Sequence, residues 1–460
     1  MPAAILLLAL ARAGAPADAR AYHGANEVDA PRDDEALRTS DATHNSDAAQ
    51  EAAQGAPPSS PGAGASPSGT DTTPSTTEDP TPRISDVLQP ALLGELDYRA
   101  YPSEVEGSTG FAVGRFRMGL RYTPRPWIAA VGTVEYADKA PYLLDANLTL
   151  TPRPWIEVGL GYAKAPLFPS FRYEPVQTLP FPDRAPVVTA FRVRRDLGAE
   201  VHLAPRRAPI EAIARIGNGS GSILGNDNAL PAGYGSLDLV LGRARAGHGD
   251  DRLGLRLGAG GMIESVRDRD GIVGQTPMGF VYYRPVVVSG RREVAEAHAI
   301  GYVGPLRLTF ESAIAREARS VDDDGDPDTA RVAADPITST GLTGELAWTA
   351  LGGPRSPGRA PTIAPAPRWR GGALELAGRV DAVALGRGAR DVTSGGSLGG
   401  ALSAKWWPVD FLAVTVVGYL TRFDVAPIDE PTRTLSWGLL TRVSVFLGPA
   451  RPRASSSTRR

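Results

Sequence analysis

At 460 residues, with no cysteine and a formal net charge of −2, the chain has room for one large fold plus extensions, but for no disulfide staple and no thiolate metal site. No stretch approaches 18 continuous apolar residues, which excludes a membrane-spanning helix. Hydrophobic residues make up 42%, while glycine (52) and proline (41) are frequent, as many turns and closely packed strands require.

In chain order, Met1–Ala21 carries an apolar run from Ala3 to Ala11 and small-residue sites at Ala11-Arg12-Ala13 and Ala19-Arg20-Ala21, the pattern of a secretory signal peptide. Residues 22–88 are Ala, Pro, Ser, Thr, Gly and Asp with almost no large apolar side chain. Such an arm cannot bury enough surface to offset its ordering entropy, so it is expected to be disordered. Residues 1–88 hold 5 basic and 13 acidic residues, and the remaining 372 hold 44 and 38. The body of the protein is therefore close to neutral, and no nucleic-acid partner is expected.

Residues 89–447 change character. The hexapeptide Thr-Pro-Arg-Pro-Trp-Ile occurs twice, at Thr123–Ile128 and Thr151–Ile156, and its paired prolines make each copy a turn. Before the first copy, Ala112, Gly114, Phe116, Met118, Leu120 and Tyr122 alternate with Val113, Arg115, Arg117, Gly119 and Arg121. Period 2 marks strands, and a second face carrying Arg, Asp, Asn and Thr along its length does not suit a closed core. Sixteen such segments follow one another: 91–100, 111–122, 128–137, 143–151, 156–164, 197–204, 210–217, 236–246, 252–261, 297–303, 306–311, 341–349, 373–382, 398–407, 411–421 and 435–446. The expected fold is all-β, a 16-stranded antiparallel transmembrane β-barrel, porin-like, with a polar lumen wide enough to hold water. Trp127, Trp155, Trp407 and Trp437 would sit where its apolar belt meets the membrane interface, and residues 448–460 form a basic disordered tail.

The longest loop, between 164 and 197, is rich in Pro, Phe and Arg, and the lumen is a natural place for it. Lys164, Arg172, Arg184, Arg192, Arg194 and Arg195 would then form a cationic constriction that binds anions, with Arg115, Arg117, Arg121, Arg256 and Arg307 on the lumen wall. Alternatively these loop arginines are solvated outer charges or bind lipopolysaccharide phosphates. The run Val321–Asp328 has alternating carboxylates but lacks the downstream Glu of a Ca²⁺ loop, so a solvated acidic loop is expected and no metal site. No Ser/His/Asp cluster is visible among five histidines, and Gly258–Gly261 lies on a strand, so neither an enzyme nor a cofactor is expected. A non-channel barrel serving as an adhesin or a barrel enzyme is the alternative from another class.

Several short motifs resemble the phosphate-selective porin O and P family of Gram-negative outer membranes. They are Gly159–Pro166 at a strand exit, Arg184, Arg195-Asp196-Leu197-Gly198 at the re-entry, and Tyr302–Glu311 across a Gly-Pro turn. Thr343–Leu346 and Leu374–Arg379 are similar to the family's late strands. The resemblance implies a sixteen-stranded homotrimer in the bacterial outer membrane, in contact with bilayer lipid and lipopolysaccharide. It also implies passage of small anions, phosphate or polyphosphate among them, past basic side chains. With only three lysines in the chain, that charge must come mainly from arginine.

Overall fold

The computed structural model describes residues 87–448, apart from 138–139, 192–194, 220, 222–225, 227–229, 243, 245–252, 322–330, 356 and 364–370. The signal peptide, nearly all of the arm and of the basic tail, the carboxylate run and the site residues Arg192 and Arg194 thus lie outside the described residues.

The first nine strands are β1 (Leu88–Ala100), β2 (Gly110–Arg125), β3 (Ile128–Ala137), β4 (Ala140–Arg153), β5 (Ile156–Lys164), β6 (Arg195–Leu203), β7 (Ile210–Gly217), β8 (Ala232–Gly242) and β9 (Leu253–Asp270). A small hairpin follows, β10 (Gly274–Gln275) with β11 (Val281–Tyr283). The remainder are β12 (Val287–Val303), β13 (Leu306–Val321), β14 (Val332–Leu351), β15 (Ala373–Arg387), β16 (Gly395–Val409), β17 (Leu412–Phe423) and β18 (Leu435–Leu447). Every strand but the hairpin pairs antiparallel with its neighbours, and β1 pairs with β18, so sixteen strands close into one barrel. Closure removes the sheet edge, which no spanning sheet can leave unpaired in lipid. At the seam Asp97 stands opposite Arg442, and the guanidinium Nε donates to Asp97 Oδ1 at 2.6 Å.

The outward face is apolar and exposed: Leu253, Leu255 and Leu257 on β9, Leu306, Leu308 and Phe310 on β13, Leu439, Val443 and Val445 on β18. A protein in water would hide such rows, whereas a transmembrane barrel turns them toward lipid. The inward neighbours are polar, among them Arg256, Arg307, Thr309, Glu311 and Arg442. No helix among the described residues is long and apolar enough to cross a membrane.

Three expectations need correction. A bulge opposite Glu95 and Leu96 makes Gly114 an extra residue, so Val113 joins Phe111 and Phe116 outside, while Ala112 turns inward opposite Asp97. Only glycine suits that bulge, because a Cβ on Gly114 would come within 2.8 Å of the Asp97 carboxylate. Trp407 is not at the membrane interface: it is 1% exposed, packed against Ala373 and Ala413, and its outward neighbour Trp406 is 41% exposed instead. Its strand runs straight through Pro408, so the pleat points Lys405 and Trp407 inward and Trp406 outward. Finally, β9, β12, β13 and β14 each run roughly ten residues beyond the expected bounds, and β8 begins at Ala232, not 236. Past the lipid boundary the outward face meets water, so its apolar alternation fades while the strand continues. Trp127, Trp155 and Trp437 are exposed.

Candidate pore constriction

The chain between β5 and β6 folds into the barrel. It forms α1 (Pro169–Arg172), a single 3₁₀ turn (Val176–Thr178) and α2 (Pro186–Phe191), and Leu167, Phe168, Phe181, Val187, Val188 and Phe191 are fully buried. Proline opens both short helices, where its missing N–H costs nothing. Phe168, just before α1, sits at φ 57°, a left-handed conformation sustained by the packing of its ring.

One half of the barrel wall grips this loop residue by residue. Glu311 on β13 accepts from Ser170 N (3.0 Å) and Ser170 Oγ (2.7 Å), and Arg307 Nη2 reaches Glu174 Oε1 at 2.7 Å. Lys405 Nζ on β16 donates to the carbonyls of Gln177 (2.7 Å) and Leu179 (2.8 Å), and Ser403 Oγ to that of Pro180 (2.9 Å). Arg442 Nη1 donates to Pro182 O at 2.8 Å, and Arg379 Nη1 to Asp183 O at 3.1 Å. A loop buried in a lumen must find donors for its carbonyls, and these wall cations supply them. Apolar anchoring accompanies the bonds: Phe181 fills a socket of Ala347, Ala377, Ala401, Val417 and Leu440, with the Arg379 guanidinium 4.6 Å from its ring centre.

The opposite wall, β2 to β6, is left facing the loop across a polar cavity of about 300 Å³. Five cations line it, Arg115, Arg117, Lys164, Arg184 and Arg195, against two carboxylates, Glu135 and Asp183. Gln275, Thr276 and Pro277 of the β10–β11 hairpin complete its lining. The hairpin is itself seated in the mouth, where Tyr282 shares a 2.8 Å hydrogen bond with Ser397 Oγ and stacks near Phe423. Burial pushes the Tyr282 phenol up to about 12, so this contact stays uncharged at neutral pH.

The cations differ in how their charge is met. Arg117 Nε donates to Glu135 Oε2 at 2.7 Å, Arg195 Nε to Asp145 Oδ1 at 2.8 Å, and Arg115 bridges Glu95 (2.8 Å) and Asp183 (3.2 Å). Lys164 instead donates to the Phe171 carbonyl at 2.7 Å, and among the described residues no carboxylate lies within ion-pair distance of it. Arg184 donates to the carbonyls of Ser170 and, at 3.0 Å, Glu174. Both cations stand 5.2 Å from the centre of the Phe171 ring, which holds them together.

The structure thus gathers Lys164, Arg184 and Arg195 from the expected loop set with Arg115 and Arg117 from the expected wall set. Arg172 turns away: it donates to Lys164 O at 2.6 Å and pairs with Glu200. Arg307 and Arg256 face inward but are covered, Arg307 by the loop and Arg256 by the Tyr173 ring, 4.5 Å away. Arg121 faces inward and exposed, away from this cavity. Sequence reasoning missed Glu135, Tyr142 and Asp183 in the cavity, and Arg379, Lys405 and Arg442 behind the loop. Arg442 could have been found, since it is an inward position of a period-2 strand. Elsewhere a larger hollow, about 1020 Å³, lies outside the barrel where Gly344, Gly378, Gly400 and Gly418 interrupt the outward leucines. Its lining is mostly apolar.

No protein-family model matches the chain, and no curated protein matches it. Among solved structures it is similar to in-vitro folded OmpT, an outer membrane protein of Vibrio cholerae, in a trimer form, with 11% identity, a TM-score of 0.49, and 78% of this chain and 98% of that one covered. It is similar to an anion-selective porin from Comamonas acidovorans, with 9% identity, a TM-score of 0.48, and coverage of 78% and 99%. A third is the outer membrane channel DcaP of Acinetobacter baumannii, with 11% identity, a TM-score of 0.45, and coverage of 78% and 96%. At these identities and scores the likenesses carry no inference about solute, assembly or location, and the barrel rests on the chain's own strand pairing.

Proposed function

We propose that the chain is a porin of the bacterial outer membrane, exported by its signal peptide, with a water-filled, anion-preferring passage for small anions. The observation that carries this reading is the cavity between the inserted loop and the β2–β6 wall, with five cations against two carboxylates. Field lines focus in a narrow passage with low-dielectric walls, so a few uncompensated charges there outweigh a near-neutral wide lumen. Anion preference therefore arises where loop and wall meet, with Lys164, Arg184 and Arg195 at the loop facing Arg115 and Arg117 on the wall. The porin O and P resemblance supports phosphate or polyphosphate among the solutes, and a homotrimer in contact with lipopolysaccharide.

Recording from the purified protein in a planar bilayer under a KCl gradient tests this. Discrete conductance steps with a reversal potential of the sign set by Cl⁻ support it, and added phosphate that blocks the chloride current would point to phosphate as a preferred solute. A silent bilayer, or a reversal potential on the K⁺ side, contradicts the proposal.

A further inference from the structure

The hexapeptide Thr-Pro-Arg-Pro-Trp-Ile is repeated without change, yet neither copy lines the pore cavity. Each makes the two-residue turn of a hairpin, Pro126-Trp127 between β2 and β3 and Pro154-Trp155 between β4 and β5. The residues that close the two turns are equivalent, Arg125 opposite Ile128 and Arg153 opposite Ile156. Each Trp carbonyl is tied across to the neighbouring chain by the same kind of bond, Thr151 N to Trp127 O at 2.8 Å and Ala204 N to Trp155 O at 2.9 Å. The two turns are thus fixed side by side at one rim, two strand spacings apart, which is about 10 Å across the strands.

Each copy places an arginine between two prolines. Proline fixes its own φ and holds the residue before it extended, so the backbone that carries Arg125 and Arg153 is set before any ligand arrives. Both arginines are exposed, and so are Trp127 and Trp155, each at 45%. The Arg125 guanidinium stands 6.0 Å from the centre of the Trp127 ring. Apolar rows of the wall run up to these turns, Met118, Leu120 and Tyr122 toward the first and Leu148 and Leu160 toward the second, all exposed. The next turn along the rim, residues 204–209, adds Arg206 and Arg207, both exposed, and none of the three turns carries an acidic residue. A cation beyond the end of an apolar row and beside an indole stands at the level of a lipid headgroup, and the guanidinium fork fits a phosphate.

We propose that the two hexapeptide turns form a paired binding site for the phosphates of anionic glycerophospholipids in the leaflet at this rim, one headgroup to each Arg–Trp pair. The proposal rests on the transmembrane reading of the barrel. Acyl chains lie along the apolar rows, the indoles take the level of the glycerol, and Arg125 and Arg153 donate to the phosphate oxygens. Arginines on three neighbouring turns favour a net negative headgroup over a zwitterionic one, whose ammonium they repel.

The test offers the purified full chain, in detergent, a mixture of phosphatidylglycerol and phosphatidylcholine and counts the retained lipids by native mass spectrometry. The native chain is read beside the double variant Arg125→Gln, Arg153→Gln and the single variant Arg121→Gln, and heat-modifiable migration in gels checks that each barrel has formed. The native protein should retain phosphatidylglycerol in preference, one molecule for each turn, and the double variant should lose that preference. Arg121 faces the lumen, so Arg121→Gln should retain lipid as the native chain does. In vesicles, adding phosphatidylglycerol to phosphatidylcholine should raise the melting temperature of the native protein and leave that of the double variant unchanged. Excess inorganic phosphate should not strip the lipid. Equal retention by native and double variant, an equal loss with Arg121→Gln, or displacement by inorganic phosphate overturns the site and leaves the barrel standing. A native chain that migrates alike with and without heating, and stays in solution without detergent, overturns the transmembrane reading itself.

Discussion

Lys164 and Arg184 share one ring, that of Phe171, and this small arrangement sets them side by side in the cavity. Both donate to carbonyls of the inserted loop, whereas Arg117 and Arg195 pair with Glu135 and Asp145. Single residues also fix the two faces of the wall. Replacing outward Leu253 with Arg should cost about 2–4 kcal/mol near the midplane, read as loss of the heat-resistant barrel in denaturant titration. Inward Arg256 has a different role from the solvated lumen residue that alternation alone suggests. It pairs with Glu211 and Asp238 and stacks on Tyr173, so Arg256→Ser strands two carboxylates. We expect Arg256→Ser to loosen the inserted loop as well as the wall, seen as new protease cuts near Tyr173; an uncut loop would show that Tyr173 is held by other contacts.

At the scale of elements, the strands were legible because lipid on one side and water on the other impose period 2 over every spanning segment. All sixteen were found in order, and errors fell where that rule lapses: at the Gly114 bulge, at Trp407 and beyond the lipid boundary. The inserted loop was legible as Pro- and Phe-rich, and its inward course follows from the same composition. Its partners were not, because Lys405 meets Gln177 across 228 residues of sequence and no local pattern records that meeting. Two tests belong here. Phe181→Ala empties the socket and should cost about 3–5 kcal/mol of loop docking, measured as a lower melting temperature and a larger unitary conductance. Lys405→Met leaves the Gln177 and Leu179 carbonyls without their donor, at about 1–3 kcal/mol each, and should shift conductance in the same direction. Unchanged conductance in both would mean that the loop does not bound the passage.

Taken whole, the molecule is a closed barrel whose lumen is divided. The β13–β18 half holds the inserted loop, and the β2–β6 half faces the cationic cavity. Charge is near balance over the chain, so the proposed selectivity rests on where charges are placed rather than on their number. That claim was out of reach of sequence, which divided loop from wall and could not see that Arg115 and Arg117 share a cavity with Lys164 while Arg172 turns toward Glu200. The most direct measurement is the reversal potential in a KCl gradient for the double variant Lys164→Gln, Arg184→Gln beside the single variant Arg172→Gln. The double variant should move the potential toward non-selectivity, and Arg172→Gln should leave it where the native protein has it. A double variant that keeps the native potential, or a larger shift in Arg172→Gln, would contradict the placement of selectivity at the Lys164–Arg184 cavity.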